Sequence, residues 1–327
     1  PLSALDKKLR DLMQIEIPSR PDDLPRVEGD ATDIGIARRA RTAEQENQRL
    51  REQNEKLPHD LDQVRAANNG MGALIVEAGK ASAKQVIDAS GLVLAPGFID
   101  PHTHYDAQIC WDGATTPSSW HGVTTVVMGN CGVGIAPCRP QTREVAMRDL
   151  VNVEAIPFEV LNAGITWDWE TFPEYMDAAA KRKPSLNLAF MAPLTPFRHY
   201  VMGEASMERA ANTEEIRKIK TLLGEAMDAG AFGFSSTLLN QHMGSGGKPL
   251  ACRNASREEI QAYCNVLREK GKGAIEYAMT RQIAVLEDKE LELLEFMLEE
   301  SKRPVTFIAM FDRDDLPEAV RETLRKA

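Results

Sequence analysis

The stretch APGFIDPHTHYD, residues 95–106, sets His102 and His104 one residue apart, directly behind an apolar run and beside Asp100 and Asp106. Residues two apart on an extended chain share a face. The two imidazoles therefore converge on one point, which suits a divalent transition metal; the plain alternative is two hydrogen-bonded surface histidines. A second reactive residue follows. The run VTTVVMGNCGVG brings Cys131 just past the end of the next expected strand, flanked by small residues. A thiolate close to two histidines makes a soft, zinc-favouring donor set, against the alternative of an inert buried thiol. Cys110, Cys138, Cys252 and Cys264 lack such company and read as structural. Further on, Glu276 in GAIEYAMTR is either a carboxylate aimed at the same metal or an ion-pair partner of Arg281. Arg198 and His199 in TPFRHYVMG, and Arg253 in ACRNAS, are candidate substrate contacts, because a guanidinium grips a carboxylate bidentately. His242 follows a strand without a clear assignment, and His121 reads as structural. The glycine-rich GSGGKP, residues 244–249, lacks the spacing of a phosphate loop and reads as a flexible loop over the site.

These residues need a scaffold, and the apolar runs supply one. Strands are expected near 93–99, 123–128, 186–191, 231–235, 273–278 and 304–310. Helical patterns fall between them near 141–153, 170–182, 207–229, 256–270 and 286–301, with a further helix in LPEAVRETLRKA. Near-continuous apolar strands alternating with helices mean a parallel sheet with crossover helices. In such sheets reactive groups sit at the carboxyl ends of the strands, which is where His102, His104 and Cys131 fall. Ahead of this region, residues 1–36 are rich in proline and charge and read as an irregular arm. Residues 37–72 are helix-forming, with Leu50, Leu57 and Val64 seven apart. That stripe packs on its own domain or forms a short coiled coil.

With 327 residues, 43% of them hydrophobic, the chain can bury a large core. A formal net charge of −10 excludes a uniformly basic face for nucleic acid. No window offers the roughly 20 apolar residues of a membrane span. The odd, scattered cysteines point away from a disulfide framework and toward the cytoplasm.

GLVLAPGFIDPHTHYDAQICWD followed by HGVTTVVMGNCGVGIAPC resembles the amidohydrolase superfamily, in its branch of D-aminoacylases and N-acyl-D-amino-acid deacylases. RHYVMGEASMERAA, DAGAFGFSS and GKPLACRNASREEI extend the likeness over about residues 84–327. It implies an α/β, TIM-barrel-like (β/α) fold joined to a small β-sandwich, of which residues 73–92 would be a remnant and 93–327 the barrel part. It also implies one or two Zn2+ ions and hydrolysis of an N-acyl-D-amino acid or a similar linear amide. By the same resemblance His102 and His104 match the strand-one histidine pair and Cys131 the strand-two cysteine ligand. The family places further zinc-binding histidines on strands five and six; GAIEYAMTR and PVTFIAMFDRD carry none, which leaves Glu276 as the nearest donor. Its general acid and base is an aspartate after strand eight. Counting strands reaches about six units here, so Asp106 and Asp312, then Asp314 and Asp315, are the carboxylates left for proton transfer. An incomplete barrel would leave sheet edges open, and the expectation is a homo-oligomer or a partner chain that completes it. A non-catalytic or partner-dependent amidohydrolase-like subunit with an incomplete metal site is the rival to an enzyme acting alone.

Overall fold

The computed structural model describes residues 96–308 and 310–326. The expected arm, helical segment and sandwich remnant, residues 1–92, lie outside the described residues. The strands are β1 (Phe98–Asp100), β2 (Val123–Met128), β3 (Asn187–Pro193), β4 (Gly233–Thr237), β5 (Ala274–Ala278) and β6 (Val305–Ile308). They form one six-stranded sheet in sequence order, every neighbouring pair parallel. A parallel neighbour requires a crossover. Those crossovers carry helices α1 (Arg143–Glu154), α2 (Phe158–Gly164), α3 (Phe172–Lys181), α4 (Leu194–Met202), α5 (Thr213–Ala229), α6 (Arg257–Lys270) and α7 (Asp288–Ser301), and α8 (Ala319–Lys326) follows β6. The sheet curls into an incomplete barrel of six strand units, as the apolar runs lead one to expect.

The core explains the order. β4 is buried at every position, and Val126, Met128, Phe234 and Ile275 from the strands meet Leu223, Met227, Leu267 and Met297 from the helices. Local signals fix the helix starts. At α3, α5 and α6 a side chain from Thr171, Asn212 or Ser256 accepts the backbone N–H of a glutamate three residues on, and that glutamate caps it in return. The helix expected from 207 consequently begins only at Thr213, behind the Asn212 cap. No helix among the described residues is long and apolar enough to cross a membrane.

Candidate metal centre

β1 and β2 run side by side, with Asp100 opposite Val126, so the segments leaving their carboxyl ends are neighbours. His102, His104 and Cys131 each place a donor atom there, all within 4.8 Å of one another. His102 Nε2 stands 3.3 Å from Cys131 Sγ. The two imidazoles meet edge to face, 5.2 Å between ring centres. Such spacings approach what ligands about 2.0 to 2.3 Å from a single zinc ion require.

The loop that presents Cys131 is tightly determined. Gly129, Cys131 and Gly132 all have positive φ, 77°, 55° and 70°. A Cβ on Gly129 would lie 2.3 Å from the Met191 carbonyl oxygen, and one on Gly132 would lie 2.7 Å from Cys252 Sγ. Only glycine fits at either place. Cys131 itself sits in a strained region for a residue with a side chain, and its surroundings hold it there. Its backbone N–H donates to Glu276 Oε2 at 2.7 Å. Gly132 N–H donates to Ser235 Oγ at 2.9 Å, and that hydroxyl donates to the Gly129 carbonyl. Gly129 N–H donates to Asp106 Oδ2 at 3.1 Å.

Burial governs the charge state of the cluster. It lowers the His102 pKa against the opposing pull of Asp100. It takes His104 down to about 3, helped by His102 and His242 nearby. It pushes the Cys131 thiol up, with Glu276 and then Glu154 adding to the shift, and raises Glu276 to about 8 against the Cys131 N–H bond. Neutral imidazoles are ready ligands. A bound cation would reverse the penalty on the thiolate. Two buried atoms, His104 Nδ1 and Glu276 Oε1, have no hydrogen-bond partner. The donor set therefore fits a soft divalent cation.

Glu276 is close to the cluster but outside its three members. His102 turns Nε2 toward Cys131 Sγ and Nδ1 toward Glu276 Oε1, 3.9 Å away. The carboxylate thus stands behind His102 and anchors the Cys131 backbone, and among the described residues it forms no ion pair with Arg281, whose backbone N–H donates to Glu290.

Other expected site residues are placed elsewhere. Asp106 is buried, its carboxylate held on Gly129 N–H and its carbonyl on the Tyr175 hydroxyl. Burial raises it to about 7, and its carboxylate bonds the loop that presents Cys131. Arg198 is 0% exposed and ion-paired with the equally buried Glu259. Its Nη2 reaches the carbonyls of Ser206 and Arg209, while its buried Nε has no hydrogen-bond partner. His199 is buried between Asp149 Oδ2 at 3.0 Å and Ser206 Oγ at 2.8 Å and joins α1 to α4. Both side chains are buried and bonded to residues of neighbouring helices and connecting segments. The 244–249 loop, expected to be flexible, is tied to α1: Ser245 N–H donates to Asp149 and Asn152 donates to the Gly244 carbonyl. Asp312 is exposed in the segment after β6, while Asp315 pairs with Arg313 at 2.5 Å.

Arg253 lies in the segment after β4. It is half-buried, bonded to the Asn240 side chain and to the carbonyls of Asn240 and His242, and no ion pair engages it among the described residues. His242 is lowered to about 4 by burial, then by Arg253 and by His102.

One neighbour of the cluster is absent from the sequence-based candidates. Glu154 ends α1 with Oε1 3.4 Å from His104 Nδ1. A signal was present: a carboxylate at the last position of a helix opposes the helix dipole.

A parallel, barrel-forming sheet carries a histidine pair after its first strand and a cysteine after its second, three donors that could hold a metal ion together. The chain belongs to the amidohydrolase family, whose sequence model matches residues 85–326. It is 37% identical over 199 residues to a D-aminoacylase from Alcaligenes xylosoxydans xylosoxydans, covering 61% of this chain and 37% of that one. An N-acyl-D-aspartate deacylase from the same organism is 36% identical over 151 residues, or 46% of this chain and 28% of the relative. Among solved structures, a D-aminoacylase with a binuclear metal centre superposes with a TM-score of 0.59 at 29% identity, covering 76% of this chain and 48% of that chain. The chain thus matches less than half the length of these relatives.

Proposed function

We propose that this barrel belongs to a metal-dependent amidohydrolase that cleaves the amide C–N bond of an N-acyl-D-amino acid or a similar linear amide. One observation carries the reading: two histidines and a cysteine from adjacent strand ends bring their donor atoms within 4.8 Å. His102, His104 and Cys131 would hold zinc, as one ion or as part of a pair. When bound, zinc activates a water and polarises the scissile carbonyl. The surrounding side chains hold the ligands and the substrate in place. Glu276 fixes the Cys131 backbone and stands behind His102. Arg253, beside His242, offers to the substrate carboxylate a guanidinium that has no acidic partner among the described residues. The D-aminoacylase and deacylase relatives support the amide and the D-amino-acid class. The unpaired state of all five cysteines supports a reducing, cytoplasmic setting in which Cys131 stays available.

A second reading has its own observation. β5 and β6 carry no histidine, and Asp312 is exposed, so hydrolysis could depend on groups from another segment or chain. Among the described residues β1 pairs only with β2, and β6 only with β5, which supports a further strand-bearing segment or copy at those edges.

The readings separate in one experiment. Purified protein is dialysed, its zinc is counted, and hydrolysis is screened over N-acyl-D-amino acids with added zinc and with chelator. Chelator-sensitive release of the amino acid is the expected result. Stoichiometric zinc without release favours the partner-dependent form, and a folded protein that takes up no zinc removes the metal centre.

Glu276 gives a narrower test. Glu276→Gln is expected to keep the Cys131 N–H anchored through its amide oxygen and to leave the melting temperature of zinc-free protein nearly unaltered. The rise in melting temperature on adding zinc should shrink, because a ligand that binds only the native state stabilises by mass action. Equal zinc-induced shifts in the two proteins would make Glu276 an anchor and nothing more.

A further inference from the structure

α1 ends at Glu154 and the chain leaves it through Ala155 in the left-handed conformation, φ 53°. Both features are locally unfavourable. The carboxylate meets the negative end of the helix dipole, and a residue with a Cβ occupies the capping position where glycine is usual. Burial raises the Glu154 pKa to about 7. Among the described residues no lysine or arginine pairs with Glu154, and the one basic side chain beside it is His104, with Nδ1 at 3.4 Å. Fold stability therefore does not account for a glutamate here. His104 Nδ1 in turn is buried without a hydrogen-bond partner, and a small rotation of the 20%-exposed Glu154 carboxylate would supply one. The arrangement parallels the other histidine, where Glu276 Oε1 faces His102 Nδ1 and Cys131 Sγ faces Nε2.

We propose that Glu154 is the positioning residue of His104: its carboxylate takes the Nδ1–H, fixes the tautomer, and leaves Nε2 as the donor to the ion. The inference rests on the metal-centre reading above. A carboxylate on the far nitrogen of a ligand histidine holds the ring and raises its basicity, and losing such a partner typically lowers metal affinity about 10- to 100-fold. Glu154 belongs to no strand and lies apart in sequence from His104, so the barrel supplies the ligand while the first crossover helix orients it.

The test uses the full chain, with zinc affinity read by chelator competition and the visible spectrum of the cobalt-loaded protein as a second readout. Glu154→Gln and Glu154→Ala are expected to weaken zinc binding by about 10- to 100-fold and to alter the cobalt bands. Zinc-free melting temperatures should stay equal to wild type or rise slightly, since a helix C-terminus is relieved of a negative charge. A residue that merely held the fold would lower them. Glu154→Asp should recover part of the affinity. Wild-type zinc affinity in both Glu154→Gln and Glu154→Ala would overturn the proposal while leaving the metal centre standing. Failure of the wild-type protein to take up zinc would overturn both.

Discussion

Cys131→Ser is expected to lower zinc affinity by well over the roughly 10-fold that even the loss of an outer partner produces, with little change in the melting temperature of zinc-free protein. The thiol is 3.3 Å from His102 Nε2, and a cysteine sulfur binds zinc as the thiolate. A serine hydroxyl is a harder donor and far less acidic, so it offers zinc a poor substitute. The fold should tolerate the change because the loop is held through its backbone: Cys131 N–H on Glu276, Gly132 N–H on Ser235 and Gly129 N–H on Asp106. No side-chain contact of the sulfur is needed for that conformation. Zinc counted after dialysis, and melting curves with and without zinc, check both halves. Unchanged zinc content would take Cys131 out of the donor set, and a large loss of zinc-free stability would mean that the thiol is a packing element.

Much of this was legible because the decisive signals are local. The strands announce themselves as apolar runs that end at glycine, proline or a reactive residue, and buried parallel strands need little else. The His102 and His104 spacing and the glycines around Cys131 are equally local: one follows from the period of an extended chain, the other from backbone that no Cβ can enter. Helix α4 is hidden in the sequence because Pro193 and Pro196 read as breaks, although Pro193 caps the helix and Pro196 lies in its first turn, where the missing N–H costs no helical bond. The start of α5 is blurred for a related reason, since the Asn212 to Glu215 cap is present in the sequence but weaker to the eye than the helical composition before it. Partnerships across the fold were not legible. Glu154 reaches His104 and Glu276 reaches Cys131 only because separate crossovers deliver them to one mouth. Arg198 looks like a carboxylate binder, and it is one; the carboxylate belongs to Glu259, 61 residues away.

Arg198→Ala is accordingly expected to destabilise the protein by about 3 to 5 kcal/mol, the cost of stripping one partner from a buried ion pair. Arg198 and Glu259 are each 0% exposed. Glu259 does more than balance a charge: it accepts from the backbone N–H of Ala211 and Ser256 and from the Tyr263 hydroxyl. It thereby ties α6 to the segment before α5, while Arg198 reaches from α4 to the Ser206 and Arg209 carbonyls. Removing the guanidinium leaves the buried Glu259 carboxylate without its counter-charge. Arg198→Lys should recover only part of the loss, since an ammonium cannot reproduce the planar fork that serves three acceptors at once. The carboxylate itself is the test of mechanism: in the Arg198→Leu background, Glu259→Gln should restore stability relative to Arg198→Leu alone, because the stranded charge is then gone. Urea denaturation of the variants beside wild type reads the coupling directly. Had Arg198 been a substrate contact at the mouth, its truncation would sit within about 0.5 kcal/mol of wild type, as surface changes do, and would appear in KM. That pattern would return Arg198 to the binding site and set aside its role as the buried partner of Glu259.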